Sequence, residues 1–464
     1  MKTRLALPMV IAGSVLLAGC FDGSGSTPTT EVRVVHASSD APAVNVLVNG
    51  EVVTEGADYK EVDILRPKIG VASIAVDGLL PDGGTARVIE ADGVSLKFRT
   101  SYDVIAVGKV GDDTIEPLIL ADTGERDSAT SVRLRVAHLS PEAQTAASGP
   151  VDVYVTAPGA DLSAAEPTVS FSFKESAGPL EVPAGDYQIR VTPAGTDTVV
   201  FDSGTVPLPA GADLLVGAVD NTGANSDASP ISLIVVNDET VTELYDADQG
   251  AGVRVVHASI SAPDVDVLVD GQATAFDDLT YGDVAPGTGL NDLASVVAGQ
   301  RNVQVVDSTN ASAVAIDADL ELTNGQGYTV IAVDQLSGGV SALVEAESVR
   351  SIATQASVRI IHGSTQAGNV DVYVLPGSQT LIGNSDPVLT NVAFESATDY
   401  LPVAAGTYNV VVTSAGSGTP LIQQNGVALA AGGVYTVIAR DGKTGATSPL
   451  DAPGLILFGG TPTL

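Results

Sequence analysis

Apolar and polar residues alternate in short runs along most of this chain. In VPAGDYQIRVT, from Val182, the side chains of Tyr187, Ile189 and Val191 share one side of an extended segment, while Gln188, Arg190 and Thr192 share the other. That is the period-two pattern of a half-buried strand. VAAGTYNVVVT, from Val403, reads alike. A second class of run is apolar almost throughout: YDVIAVG from Tyr102, ADLLVGAVD from Ala212, YTVIAVD from Tyr328 and YTVIARDG from Tyr435. Such runs suit a central core strand. The runs are short, rich in β-branched residues and separated by Gly, Pro, Asn and Asp, with no helical period over a useful length. They predict an all-β chain of immunoglobulin-like β-sandwiches, with roughly seven strands in each.

The runs recur in register with a longer repeat. Its four copies begin VRVVHASSDAPAVNVLVNG at Val32, LRVAHLSPEAQTAASGPVDVYV at Leu134, VRVVHASISAPDVDVLVDG at Val253 and VRIIHGSTQAGNVDVYVLPG at Val358. The fixed elements are Arg-x-x-His-x-Ser, a turn rich in Pro, Gly and Ala, and Val-Asp/Asn-Val-x-Val. Arg33, His36 and Ser38 carry the motif in the first copy, Arg135, His138 and Ser140 in the second, Arg254, His257 and Ser259 in the third, and Arg359, His362 and Ser364 in the fourth; these are all four histidines of the protein. Four copies of about 110 residues fill the chain, each near the commonest domain size. Polar stretches set the expected domains at 31–122, 132–245, 253–347 and 357–464, joined as a semi-rigid string of beads.

On these residues the chain resembles the bacterial family called domain of unknown function 4397. The resemblance covers essentially all of residues 31–450 and implies exported, often lipid-anchored proteins built from tandem immunoglobulin-like domains. The first copy departs from the others in having Asn45 where they have Asp152, Asp266 and Asp371, and the second carries an insertion before Val151.

The first nineteen residues read as export machinery. Lys2 and Arg4 precede an apolar stretch, Leu5 to Leu17, too short to span a bilayer, and Leu17-Ala18-Gly19-Cys20 resembles a lipobox. Residues 1–19 are thus expected as a signal peptide, with Cys20 acylated and residues 20–30 as a flexible tether. The lipid would hold the protein to a membrane. Phe21 at the position after the cysteine, where an Asp would resemble an inner-membrane retention signal, points to the outer membrane. Cys20 is the only cysteine, so the domains carry no disulfide.

Charge removes further classes. The formal net charge is −35, spread along the chain, and repels nucleic acid and anionic headgroups. No glycine-rich phosphate loop occurs, and one histidine per copy is too few for zinc or copper. With no Trp, 11 Tyr and 8 Phe, aromatic sugar platforms are scarce. The acidic linkers offer candidate calcium ligands instead: Asp246, Asp248, Glu345 and Glu347, besides Asp122, Glu125 and Asp127. Histidine two residues before serine suggests a nucleophile and its base, but no Gly-x-Ser-x-Gly turn surrounds any of the serines and the first copy lacks the acid. The bland alternative is that the histidine closes the first strand against the turn while the arginines pair with neighbouring carboxylates. The resulting expectation is a non-enzymatic, lipid-anchored envelope protein acting as a structural, adhesion or protein-binding array, with no required cofactor and with envelope or extracellular proteins as partners. The alternative is a solute-binding lipoprotein or hydrolase with its site in the second copy, around Gln144–Pro150 and Leu162–Ser176.

Overall fold

The computed structural model describes residues 27–379, 382–383, 385–443 and 452–462. The expected signal peptide and Cys20 lie outside them, as does 444–451 of the fourth copy. Within the first copy eight strands form two sheets: β1 (Val32–His36), β2 (Val44–Val48), β3 (Glu51–Ala57), β4 (Val62–Leu65), β5 (Gly70–Leu79), β6 (Thr85–Leu96), β7 (Ser101–Val107) and β8 (Glu116–Asp122). One sheet has the order β4-β1-β7-β8 and the other β3-β2-β5-β6. All neighbours are antiparallel except β1 and β7, which run parallel with Val32 opposite Tyr102 and His36 opposite Ala106. The same pair of sheets recurs in the other three copies, and in each the motif strand pairs parallel with the apolar run near the end of the copy.

The fold is therefore the expected series of β-sandwiches, with eight described strands in the first and fourth copies and nine in the second and third where about seven were expected. The second copy adds a fifth strand, Thr240–Leu244, to its motif sheet. Its insertion forms a short helix, α1 (Pro141–Ala147), started by Ser140, whose hydroxyl accepts from Ala143 N–H, with Pro141 in the first turn.

Each sandwich has its own core. In the first copy Val32, Val34, Val104 and Ala106 face Val44, Val46, Ile74 and Val76 of the opposing sheet. The other side of the motif sheet is not exposed. Val35, Ala37, Ile105 and Val107 pack against Ala137, Leu139, Leu215, Ile234 and Val236 of the second copy. In the same way Val256, Ile331 and Val333 of the third copy meet Ile361, Ile438, Ile456 and Phe458 of the fourth. Within the second copy Gly217 leaves room for Leu139, one of these interface side chains, since a Cβ there would fall 2.7 Å from Leu139 Cδ1. Sheet lies on sheet, and the copies form two face-to-face pairs. The string of beads is thus corrected: it assumed that apolar runs are buried by their own sandwich alone, whereas these runs are buried on both sides because a second copy covers the outer one.

One further strand departs from its reading. Arg190 and Thr192, assigned above to a polar outer side, are buried, because the segment after Thr156 folds over that side and the Arg190 guanidinium donates to Ala160 O at 2.6 Å and Thr156 Oγ1 at 3.0 Å.

Candidate functional site

Each motif histidine ends the first strand with its ring buried and turned into the following turn. A carbonyl can only accept, so the contacts of His36 Nε2 with Pro42 O at 3.1 Å, His257 Nε2 with Pro263 O at 3.0 Å and His362 Nε2 with Gly368 O at 2.6 Å place the proton on Nε2. Nδ1 is then the acceptor, and it takes the backbone N–H of the motif serine at 3.4 Å in the first and second copies and 3.3 Å in the fourth. In the first, second and fourth copies the imidazole is held neutral. Burial pushes His36 and His138 down to about 4 and lowers His362 as well.

The serine hydroxyls turn away from the histidines. Ser140 Oγ donates to Asp220 at 2.6 Å, Ser259 Oγ to Asp334 at 2.6 Å, and Ser364 Oγ to Asp441. These aspartates end the apolar strand, or in the fourth copy follow it, and gather the N–H groups of the turn, as Asp334 does those of Ile260 and Ser261 and Asp441 those of Thr365 and Gln366. Burial raises Asp334, but the donated bonds from Ser259 and Ser261 outweigh it and hold the carboxyl below its usual value. The first copy has Gly108 at this position. There Asp220 of the second copy reaches across to accept from Ser39 Oγ at 2.6 Å, and Lys109 Nζ closes the contact at 2.8 Å from Asp220 and 2.7 Å from Glu142. One aspartate thus serves two copies.

The motif acids Asp152, Asp266 and Asp371, and Asn45 in the first copy, lie away from the histidines. Asp371 accepts from Asn391 N and Gly416 N at 2.8 Å each, Asp152 from Gly195 N at 2.8 Å, and Asp266 from Asp278 N at 2.7 Å, while Asn45 accepts from Gly56 N at 3.0 Å. They brace edge turns of the other sheet. No Ser-His-Asp relay is assembled from the motif residues.

An aromatic ring that the sequence reading missed completes each turn. Tyr59, Phe173, Tyr281 and Phe394 meet His36, His138, His257 and His362 edge to face, with centroids 6.1, 6.1, 6.3 and 6.1 Å apart. The residue after the ring has positive φ in every copy, Lys60 at 69°, Lys174 at 71°, Gly282 at 99° and Glu395 at 65°, and its N–H bonds the carbonyl of the histidine. The available signal was an aromatic, one further residue, then Glu, Asp or Ser: YKE, FKE, YGD and FES. Its offset from the histidine varies between copies, which hides it.

The motif arginines emerge on the covered side of the sheet. Between the first and second copies they form a ladder with acids: Arg33 bonds Asp103 at 2.7 Å, Arg135 bonds Asp103 and lies 2.8 Å from Asp122, and Arg133 holds Asp122 at 2.8 Å and reaches Asp213. Burial raises Asp122, yet the Arg133 guanidinium, Gly124 N–H and Arg135 hold it below its usual range. Between the third and fourth copies the ladder gives way to rings. Arg254 lies 4.6 Å from the Phe458 centroid and 3.4 Å from Glu347, and Arg359 lies 4.9 Å from the Tyr400 centroid and donates to Ala346 O.

The two pairs meet at a cleft lined by all four copies, with Tyr59, Lys60, Glu243, Tyr245, Arg350 and Tyr400 among its walls. Arg350, from the segment between the third and fourth copies, stacks 5.0 Å from the Tyr59 centroid, donates to Ser39 O at 2.9 Å and to Ala41 O, and pairs with Asp58. Burial lowers Lys60, whose ammonium pairs with Glu243 and lies 4.7 Å from the Tyr59 centroid.

The candidate calcium ligands are dispersed. Asp246 accepts from Asp202 N at 2.8 Å and Asp248 N at 3.0 Å, while Glu347 is buried on Thr329 and Arg254. Glu345 sits in the strand Val340–Glu347, two residues from Glu347 and opposite Thr329. Among the described residues no three His, Cys, Asp or Glu side chains converge as a metal site. Asp122 belongs to the arginine ladder and Asp127 N–H is held by Glu181 at 2.7 Å.

A family model described as "Domain of unknown function (DUF4397)" matches residues 30–154, 251–373 and 376–451. The first two matches run through one copy and on into the second strand of the next, so they span the motif strand that the first copy buries against. Curated proteins give no match. Among solved structures, an adhesin candidate from Bacteroides ovatus is similar at 10% identity over 47% of this chain and 96% of its own, with a TM-score of 0.13. A Bacteroides ovatus glucan-utilisation protein, SGBP-B, in complex with a mixed-linkage heptasaccharide, is similar at 10% identity over 85% of this chain and 90% of its own, with a TM-score of 0.10.

Proposed function

The chain belongs to the DUF4397 family, and from that premise we propose that it is a non-enzymatic binding protein of the cell envelope, tethered through Cys20, whose four sandwiches form one recognition head. The observation that carries the reading is the pairing of motif sheets. Residues repeated in every copy are spent on closing turns and burying sheet against sheet, which is what fold-specifying repeat residues do. The serine that a hydrolase would need is committed to a carboxylate at 2.6 Å in the second and third copies, and in the second its histidine accepts a backbone N–H. In the second copy the insertion adds α1, with Ala143 packed into the core beside a void of only about 20 Å³, so it fills space where a substrate pocket would open it. The outer membrane is the proposed location, and the surface of the head, including its four-copy cleft, is the proposed contact region for envelope or extracellular proteins.

Fractionation of cells expressing the full chain and Cys20→Ser tests the anchor. The wild type should sediment with membranes and incorporate labelled fatty acid, and the variant should do neither. Equal membrane association of both would overturn the tether. For the non-enzymatic reading, His138→Ala and Ser140→Ala should change stability alone; an esterase or peptidase activity abolished by either would overturn it.

A further inference from the structure

Repeat four is hollow. Between its two sheets lies a cavity of about 380 Å³, against about 20 Å³ at the corresponding place in the second copy. Register explains the difference. In the second copy Val151 faces Phe171 across the edge of its sheet and Val191 faces Phe201, both rings being buried in the core. The equivalent partners in the fourth copy are Val392, opposite Val370, and Ile422, opposite Val412. The fourth copy also has no described counterpart of α1, which adds Ala143 to the second core. Phe171 and Ala143 line the small void of the second copy, whereas Val392 lines the cavity of the fourth, so two filling groups are missing from this place.

The wall is aliphatic, with Val358, Ile360, Val372, Leu401, Val410 and Leu429 among its residues. The few polar side chains at it are already engaged: Tyr408 OH donates to Ala404 O at 2.8 Å and His362 Nε2 to Gly368 O. A dry space of this kind has nothing to offer water. The flanking strands Leu389–Val392 and Leu401–Val403 are both edge strands, and the rim carries exposed Val388 together with Pro81 and Asp82 from the first copy. A volume of this size falls in the range of ligand pockets, about 300–1,000 Å³.

We propose that the fourth sandwich binds the alkyl chain of a single-chain amphiphile with an uncharged head, the head remaining at the rim. The lining selects a flexible aliphatic chain. Asp82 at the mouth and the formal charge of −35 disfavour a carboxylate or phosphate head.

The test uses the complete chain carrying Cys20→Ser, which cannot be acylated, titrated calorimetrically with 1-hexanol, 1-octanol and 1-decanol. Affinity should rise roughly fourfold per methylene, the gain expected for burying each in an apolar site, and decanoate should bind more weakly than decanol. Val392→Phe, which restores the ring of the second copy, should abolish binding while raising the melting temperature of the unliganded protein. Alkanols that bind no more tightly with length, or decanoate that binds as tightly as decanol, would overturn the proposal. Should Val392→Phe fail to fold, the chain-length series on the Cys20→Ser protein decides alone.

Discussion

His36 and His138 set the pH response of the fold. Buried and neutral, they are held at about 4, whereas an unfolded histidine titrates near its ordinary value of 6.5. Above 6.5 neither state binds a proton, so the native contacts are at full strength. As pH falls from 6.5 to 4 the unfolded chain takes up protons that the native one refuses, and stability drops by roughly 1.4 kcal/mol per pH unit for each such histidine. Asp122 and Asp334, held below their usual value, extend the loss below about pH 4. Urea unfolding at pH 7.5 and pH 5 should show the fall; equal stability at both would contradict buried neutral histidines. The arginine ladder makes a second residue-scale prediction. Asp103→Ala leaves Arg33 and Arg135 without their shared carboxylate between two sheets, and should cost about 3–5 kcal/mol, as breaking a buried pair does. The sequence displayed Arg, His and Ser in each copy. It did not display Asp220, Asp334 and Asp441, because these lie some 75–80 residues from their serines and the first copy lacks one.

At the scale of elements the informative strands are those without alternation. The motif strand Ser357–His362 within Ala356–His362 and the strand Val434–Arg440 are buried at every position, as is Ala251–His257 in the third copy. An isolated sandwich would leave Ile234 and Ile438 on an outer surface, where replacement by Ala costs little, about 0.5 kcal/mol or less. Covered by a neighbouring copy, with no measurable exposure, each should cost about 2–5 kcal/mol. Denaturant titrations of Ile234→Ala and Ile438→Ala separate these outcomes. The strands, the four-fold repeat and the sandwich class were legible because period two and β-branched composition are local signals. The covering of an outer face was written in the same runs but is ambiguous there, since an apolar strand does not say which element buries its second side. The eighth strand escaped notice for a related reason: Val62–Leu65 and its equivalents are two to eight residues long and mostly half-exposed, with little periodicity to read.

For the whole molecule, Arg350 is the clearest tie between the pairs. Its guanidinium reaches two carbonyls, one carboxylate and the Tyr59 ring of the first copy, and its side chain is only 12% exposed. Ala353 N–H adds a bond to Asp40 O at 2.8 Å, and Asn324 Nδ2 one to Asp246 O at 2.8 Å. A segment that reads as a polar linker is therefore a latch, and composition alone hides this because a lone arginine among Glu, Ser and Thr resembles any solvated connection. Arg350→Ala should leave each sandwich folded while loosening the pairs, seen as faster amide exchange at Ser39–Ala41 and Asp58–Lys60; unchanged exchange there would contradict the latch. The central claim is that four copies pack as one body. Small-angle scattering of the Cys20→Ser chain measures it most directly. A compact body of this length has a radius of gyration near about 22 Å, with some increase for elongation, whereas four such domains strung end to end would exceed about 40 Å. A value below about 30 Å is the expected result, and one above 40 Å would contradict the pairing of the sheets.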